Sequence, residues 1–131
     1  MEARYCSEVH PMRLSGFALL LLFALPLRAE TEPAEEAAIQ YLLNQVEQSP
    51  CQFVRNGKAY DGEDARAHIE RKYRYILGKG HTLNAEAFIE HAASESSFTG
   101  RDYQIQCPQQ PAEPSADWLN RQLQQYRAAH P

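Results

Sequence analysis

His68 and Lys72 stand four residues apart in the run Ala65-Arg66-Ala67-His68-Ile69-Glu70-Arg71-Lys72. On a helix that spacing puts both on one face. There the ammonium could polarise a ligand while the imidazole moves a proton. The plainer account is a half-buried histidine bonded to a neighbouring sheet, with a solvated lysine beside it. A second cluster is Ser94, Ser96, Ser97 and Thr99, followed by Gly100. These hydroxyls could hold a polar ligand or a peptide edge, or they could satisfy the loop's own amides. Ser96 or Ser97, His91 or His68, and Glu95 supply the residue types of a hydrolytic triad. The sequence has no Gly-x-Ser-x-Gly elbow, however, and no spacing that supports such a triad. Arg55 directly precedes Asn56-Gly57 and is a candidate anion or partner contact at a hairpin tip. The candidate binding residues are therefore Arg55, His68, Lys72, Ser96 and Ser97, and no catalytic residue is assigned.

Metal and cofactor chemistry find little support. His68, His81, His91 and His130 are scattered and make no His-x-x-x-His pair. There is no glycine-rich phosphate loop and no dinucleotide fingerprint. No metal and no cofactor is expected.

The elements that must position these residues can be read from periodicity. Ala38, Ile39, Leu42, Leu43 and Val46 form one apolar stripe, which predicts a helix over 32–48. Thr31 is its expected cap, and Ser49-Pro50 its stop. Two short strands, 51–55 and 58–60, flank Asn56-Gly57, the pair that a two-residue type I′ turn requires. Asp61 should cap a second helix running to about Leu77, with Ala65, Ile69, Tyr73 and Ile76 inward and Gly78 and Gly80 ending it. Tyr73 and Tyr75 read as core and rim aromatics rather than a stacking platform. A third helix is expected from Ala85 to about Ser94, capped by Asn84, with Phe88, Ile89, Ala92 and Ala93 inward. Asp102 to Cys107 alternates apolar and polar residues, as a half-buried strand does. Pro108 to Pro114 cannot form a central strand. Ser115 is the expected cap of a last helix carrying Trp118, Leu119, Leu123 and Tyr126.

Leu14 to Leu27 is an uncharged apolar run of 14 residues, preceded by Arg13 and followed by Arg28-Ala29. That is the layout of a secretory signal peptide, and it falls short of the ~20 residues of a spanning helix. Cleavage is expected after Ala29. Residues 1–11 are net acidic and fit an n-region poorly, so Met12 reads as the true initiator and the leader as residues 12–29. Removing three basic and two acidic residues from totals of 13 and 17 leaves ten and fifteen, a net charge of −5 on residues 30–131. That length suits one small domain. The acidic balance argues against nucleic acid and against an anionic membrane surface. The expected location is periplasmic or secreted, with no stable membrane insertion after cleavage.

Trimming also changes the cysteine count. Cys6 goes with the leader, leaving Cys51 and Cys107 as a pair in an oxidising compartment. A disulfide is the economical reading; two free thiols or a metal pair are the alternatives. Cys51 opens the first strand and Cys107 closes the third. Antiparallel pairing of those strands brings the cysteines to one end, whereas parallel pairing would separate them beyond disulfide reach.

Four runs, in order, carry a resemblance: Ser49 to Tyr60, Ala65 to Tyr73, Ala85 to Tyr103 and Pro114 to Leu119. They resemble the YfeK-like family of small exported proteobacterial proteins, a domain of unknown function. The resemblance covers nearly the whole of residues 30–131. It implies an exported single domain and brings no catalytic residue with it. The expected fold is α+β: a small three-stranded antiparallel sheet, first strand central, packed against three to four helices with one disulfide. The leading functional expectation is a non-enzymatic interaction or accessory module, meeting an envelope protein through a sheet edge. The alternatives are a small envelope hydrolase using His68 and the Ser96/Ser97 loop, or a module that binds a small polar ligand.

Overall fold

Ala38, Ile39, Leu42, Leu43 and Val46 are all buried along one side of helix α1 (Pro33–Gln48). The computed structural model describes residues 30–131. The leader, the Met12 start, Cys6 and the cleavage site after Ala29 lie outside the described residues. Thr31 does not cap α1. Pro33 sits in the first turn, Glu32 takes the N-cap position, and no side chain closes the turn. Glu35 and Glu36 supply negative charge there instead. The Thr31 hydroxyl meets Tyr73 Oη at 2.7 Å, and Tyr73 donates to Glu36 Oε2 at 2.7 Å.

Strands β1 (Gln52–Arg55) and β2 (Lys58–Tyr60) form the hairpin, with Arg55 opposite Lys58. Asn56 and Gly57 take φ of 50° and 79°, as a type I′ turn requires. Asp61 then caps helix α2 (Gly62–Gly78), accepting from the Asp64 amide at 2.9 Å. Asn84 caps helix α3 (Ala85–Ala92) in the same way through the Ala87 amide. This helix is shorter than its periodicity suggests, because Ala93 leaves helical geometry and Ser94 Oγ closes onto the Ile89 carbonyl at 2.6 Å. Strand β3 (Gln104–Gln106), strand β4 (Glu113–Pro114) and helix α4 (Ser115–Ala129) complete the chain.

The sheet has four strands, not three, in the antiparallel order β2-β1-β3-β4. The additional strand is two residues long and ends in proline. It pairs on one side alone, which is where a residue without an N–H can sit. Excluding a central strand from Pro108–Pro114 therefore left room for this edge strand. Ser115 is likewise not a cap. Pro114 holds the N-cap position, and the Ser115 amide donates to the Tyr103 carbonyl at 2.9 Å, carrying the ladder into the helix.

Gln52 pairs with Gln106, so the residues just beyond them, Cys51 and Cys107, meet at one end. They form a disulfide with Cα atoms 4.1 Å apart. One core gathers the inner faces of all four helices and the sheet: Leu42, Leu43, Phe88, Ile89, Ile105 and Leu119 are fully buried in it. Phe53 meets Trp118 edge-on across it. Gly62 lets α2 start against the end of α1. A Cβ there would lie 2.4 Å from the Val46 carbonyl oxygen and 2.7 Å from that of Glu47.

Two outcomes follow from this packing. Replacing both cysteines by alanine should lower the unfolding free energy by about 4 kcal/mol, for a loop spanning 56 residues; urea denaturation measures it, and an unchanged midpoint would contradict the staple. Gly62→Ala should cost about 1–3 kcal/mol by overpacking backbone against backbone, with a fall in thermal midpoint as the readout.

Candidate functional site

The sheet register decides which side chains face α2. Phe53 lies opposite both Tyr60 and Ile105, and Arg55 lies opposite Lys58. Side chains alternate along a strand, so Arg55 shares Phe53's face and Tyr103 shares that of Ile105. Phe53 and Ile105 are buried in the core. One step further along each strand, Arg55 and Tyr103 emerge at its margin. Helix α2 crosses the same face. Ala65 and Ile69 seal it to the core, and His68 and Lys72 project from it one turn apart.

These residues converge. His68 Nε2 is 3.0 Å from Tyr103 Oη. Arg55 Nη1 lies 3.3 Å from each ring nitrogen of His68, which fits a nitrogen over the ring rather than an in-plane bond to one lone pair. Arg55 Nη2 donates to Tyr60 Oη at 3.1 Å, and the guanidinium stands 5.1 Å from that ring's centre. Lys72 donates to the Glu95 carbonyl at 2.7 Å and lies over the Tyr103 ring, 5.1 Å from its centre. Lys72 is thus anchored, not freely solvated. Among the described residues none of Arg55, Arg71 and Lys72 makes an ion pair.

Charge follows geometry. Burial pushes the His68 imidazole down from 6.5 to about 4, with Arg55, Lys72 and Arg71 adding repulsion, so the ring is neutral near pH 7. Burial also lowers Lys72, offset by the nearby Glu95 and reinforced by Arg55. Burial raises Tyr103, against the pull of Arg55. The hydrogen bond from Arg55 lowers Tyr60.

Around this cluster lies a concave pocket of about 230 Å³. Arg55, Tyr60, Asp64, His68, Arg71, Tyr103 and Ser115 form its polar wall, and Phe53 and Ile69 belong to its apolar one. A shallower depression of about 350 Å³ lies on the other side of His68 and Arg71, bordered by Lys72, Tyr75, His91 and Ser97. His68 and Arg71 border both hollows.

The serine loop is placed differently. Ser96 is buried; its hydroxyl accepts from Asn56 Nδ2 at 3.1 Å and from the Phe98 amide at 3.3 Å. Thr99 donates to Asn56 Oδ1 at 2.7 Å. The loop therefore clamps the hairpin tip through Asn56. Ser97 is exposed at the second depression. Among the described residues no hydrogen bond joins Ser96 or Ser97 to a histidine, and no three His, Cys, Asp or Glu side chains gather as a metal cage. Arg55, His68 and Lys72 come together; Ser97 shares the second depression with His68 and Lys72 but is hydrogen-bonded to neither, and Ser96 is turned to the hairpin tip. Reading the sequence for chemistry missed Tyr60, Tyr103 and Ser115. The alternation Tyr103-x-Ile105 beside Phe53-x-Arg55 carried the signal for Tyr103.

Fold and site together define a disulfide-stapled α+β domain with a cationic pocket walled by tyrosines. The chain belongs to the family of unknown function DUF5329, which matches residues 33–127. It is similar to the uncharacterized protein YfeK of Salmonella typhimurium, 41% identical over 88 residues, covering 63% of this chain and 68% of that protein. No solved structure gives a significant match.

The histidine makes a testable mark on stability. Its folded-state pKa of about 4 lies below the ordinary 6.5, so between those values the unfolded chain binds more protons. Stability should therefore be unaffected by His68 above pH 6.5 and should fall as pH drops from 6.5 toward 4. Urea denaturation across that window should show a shallower decline in His68→Gln than in wild type; equal slopes would refute a neutral folded-state ring.

Proposed function

We propose that this domain is an exported, non-enzymatic module that binds a small anionic ligand between Arg55, Tyr60, His68 and Tyr103. One observation carries the reading. Two guanidiniums, Arg55 and Arg71, and one carboxylate, Asp64, line a concave pocket beside a neutral imidazole, with Lys72 on the far side of that ring, and none of the three cations is paired to a carboxylate among the described residues. Such an arrangement is electrostatically incomplete and favours an anion. The tyrosine hydroxyls and the imidazole add neutral hydrogen-bonding groups, which fix orientation without competing for charge.

Export is supported by the leader pattern at 12–29 and by the Cys51–Cys107 disulfide. Among the described residues no helix is long and apolar enough to cross a membrane. The hydrolase alternative loses ground because the Ser96 hydroxyl is engaged with Asn56 and the Phe98 amide, and because Ser97, though it borders the second depression with His68, has no hydrogen bond to a histidine among the described residues. Partner capture at a sheet edge has weaker support than the pocket. One edge strand has three residues and begins with exposed Lys58; the other has two and ends in Pro114. Short edges carrying lysine and proline are poor templates for strand addition.

Titrating the disulfide-intact domain with acetate and inorganic phosphate should show saturable binding that weakens as chloride rises. Arg55→Gln should lose about tenfold in affinity through its charged hydrogen bonds, with the His68 ring resonances reporting occupancy. Equal affinity in wild type and Arg55→Gln, at equal thermal midpoint, would exclude the pocket as the anion site.

A further inference from the structure

Ser115 is 1% exposed, and among the described residues its Oγ is the buried side-chain polar atom that has no hydrogen-bond partner. A buried hydroxyl left unpaired is costly and uncommon, and it calls for an explanation. Ser115 also belongs to the wall of the pocket that Arg55 lines. The register explains why. Pro114 pairs with Gln104, and Gln104 with Val54. One residue on, Ser115 donates its amide to the Tyr103 carbonyl, and Arg55 is the next residue after Val54. Arg55, Tyr103 and Ser115 thus form one row across three strands on the same face, at neighbouring-strand spacings of ~4.8 Å. Ser115 is moreover the first helical residue of α4, whose N-terminus has no side-chain cap. The start of a helix of 15 residues favours an electron-rich group. Asp117, the acidic residue of that turn, is exposed and is not part of the pocket wall.

The pocket therefore has two polar ends. Arg55, with Tyr60 and His68, offers a cation and donors at one end. Ser115, at the uncapped start of α4, offers an unused donor at the other. The wall that completes the pocket includes the apolar Phe53, Ala65 and Ile69, together with Arg71 and one carboxylate, Asp64, so that with Arg55 the positive charge stays in excess. Resting on the anion-binding reading above, we infer that the ligand is a small carboxylate on a short apolar body that also carries a carbonyl oxygen. The carboxylate would pair with Arg55, the apolar body would lie against Phe53 and Ile69, and the carbonyl would accept from Ser115 Oγ. A volume of about 230 Å³ suits a body of about amino-acid size, below the ~300–1,000 Å³ of drug-sized sites. Two sources share this chemistry: a free oxo acid, and the C-terminal residue of a peptide with the carbonyl of its preceding amide.

The experiment compares matched probes on the disulfide-intact domain by calorimetry. 4-Oxopentanoate should bind about tenfold more tightly than pentanoate, because one acid carries the acceptor and the other does not. Ser115→Ala should erase that difference while leaving pentanoate affinity unchanged, and it should raise the thermal midpoint of the empty protein by removing an unpaired hydroxyl. An N-acetyl dipeptide with a free C-terminus, binding more tightly than 4-oxopentanoate and losing affinity when amidated, assigns the peptide source; the reverse order assigns the free acid. The inference is overturned if wild type binds both acids equally. It is also overturned if Ser115→Ala keeps the tenfold preference or lowers the thermal midpoint. In those cases Arg55-dependent binding of acetate and phosphate still stands on its own, whereas loss of all anion binding removes both readings together.

Discussion

The pairing of β1 with β3 is the constraint from which the rest of the structure follows. With Gln52 opposite Gln106 and Val54 opposite Gln104, the ladder has consequences at both ends. At one end it brings Cys51 to Cys107, where covalent closure holds the register. At the other it brings Arg55 beside Tyr103. A slip by one residue would exchange the two faces of a strand. Phe53 or Ile105 would then leave the core, and Arg55 or Tyr103 would leave the pocket. The same interaction thus specifies the core and assembles the site, and the disulfide acts on both by locking one ladder.

Electrostatics separate the site from the surface around it. Elsewhere four arginines find carboxylates: Arg66 pairs with Glu47, Arg74 with Glu70, Arg121 with Glu113, and Arg127 with Glu86 and Glu35. Exposed pairs of this kind add little stability, but they show that acidic residues are plentiful in a chain of negative net charge. Arg55 instead faces an imidazole and two phenols. The hairpin and α2 hold it there, since Tyr60 and His68 come from those two elements. Asn56, next in sequence, is gripped by Ser96 and Thr99. The serine loop therefore acts on the site at one remove, by fixing the turn from which Arg55 projects.

Much of this was legible in the sequence because local chemistry and tertiary demand agreed. Asn56-Gly57 dictates a turn in any context. The pair Cys51 and Cys107, at the start of one strand and the end of another, permits one strand direction when it is bonded. Asp61 and Asn84 cap the helices that follow them. Where the sequence misled, a longer-range contact had displaced a local preference. Thr31 could cap α1, but its hydroxyl is taken by Tyr73, 42 residues away. Ser115 has the residue type of an N-cap, yet the β4 ladder claims its amide and shifts it one place into α4. The two-residue strand Glu113–Pro114 has too few residues to show any period. His68 and Lys72 could be placed on one face from spacing alone, whereas Tyr60 and Tyr103 required the register.

The unpaired Arg55 and Arg71 and the unpaired hydroxyl of Ser115 lie on the same pocket, with Lys72 in the adjoining hollow, and this coincidence has a physical interpretation. Folding normally satisfies buried polar groups, because each one left bare erodes a small stability margin. Here the exceptions are concentrated: the orphan Ser115 Oγ, the neutral His68 held against its charged form, and the partly buried Lys72, whose charge is also disfavoured. Ser115 lies in the row across the sheet, and His68 and Lys72 lie on helix α2 packed over it, so these groups border neighbouring hollows on one side of the molecule. Local sequence preference and final structure also diverge at Ser115, and a departure of this kind is compensated elsewhere in a fold. The compensation here is the disulfide and the core beneath it, which hold the ladder while its far end stays polar and open.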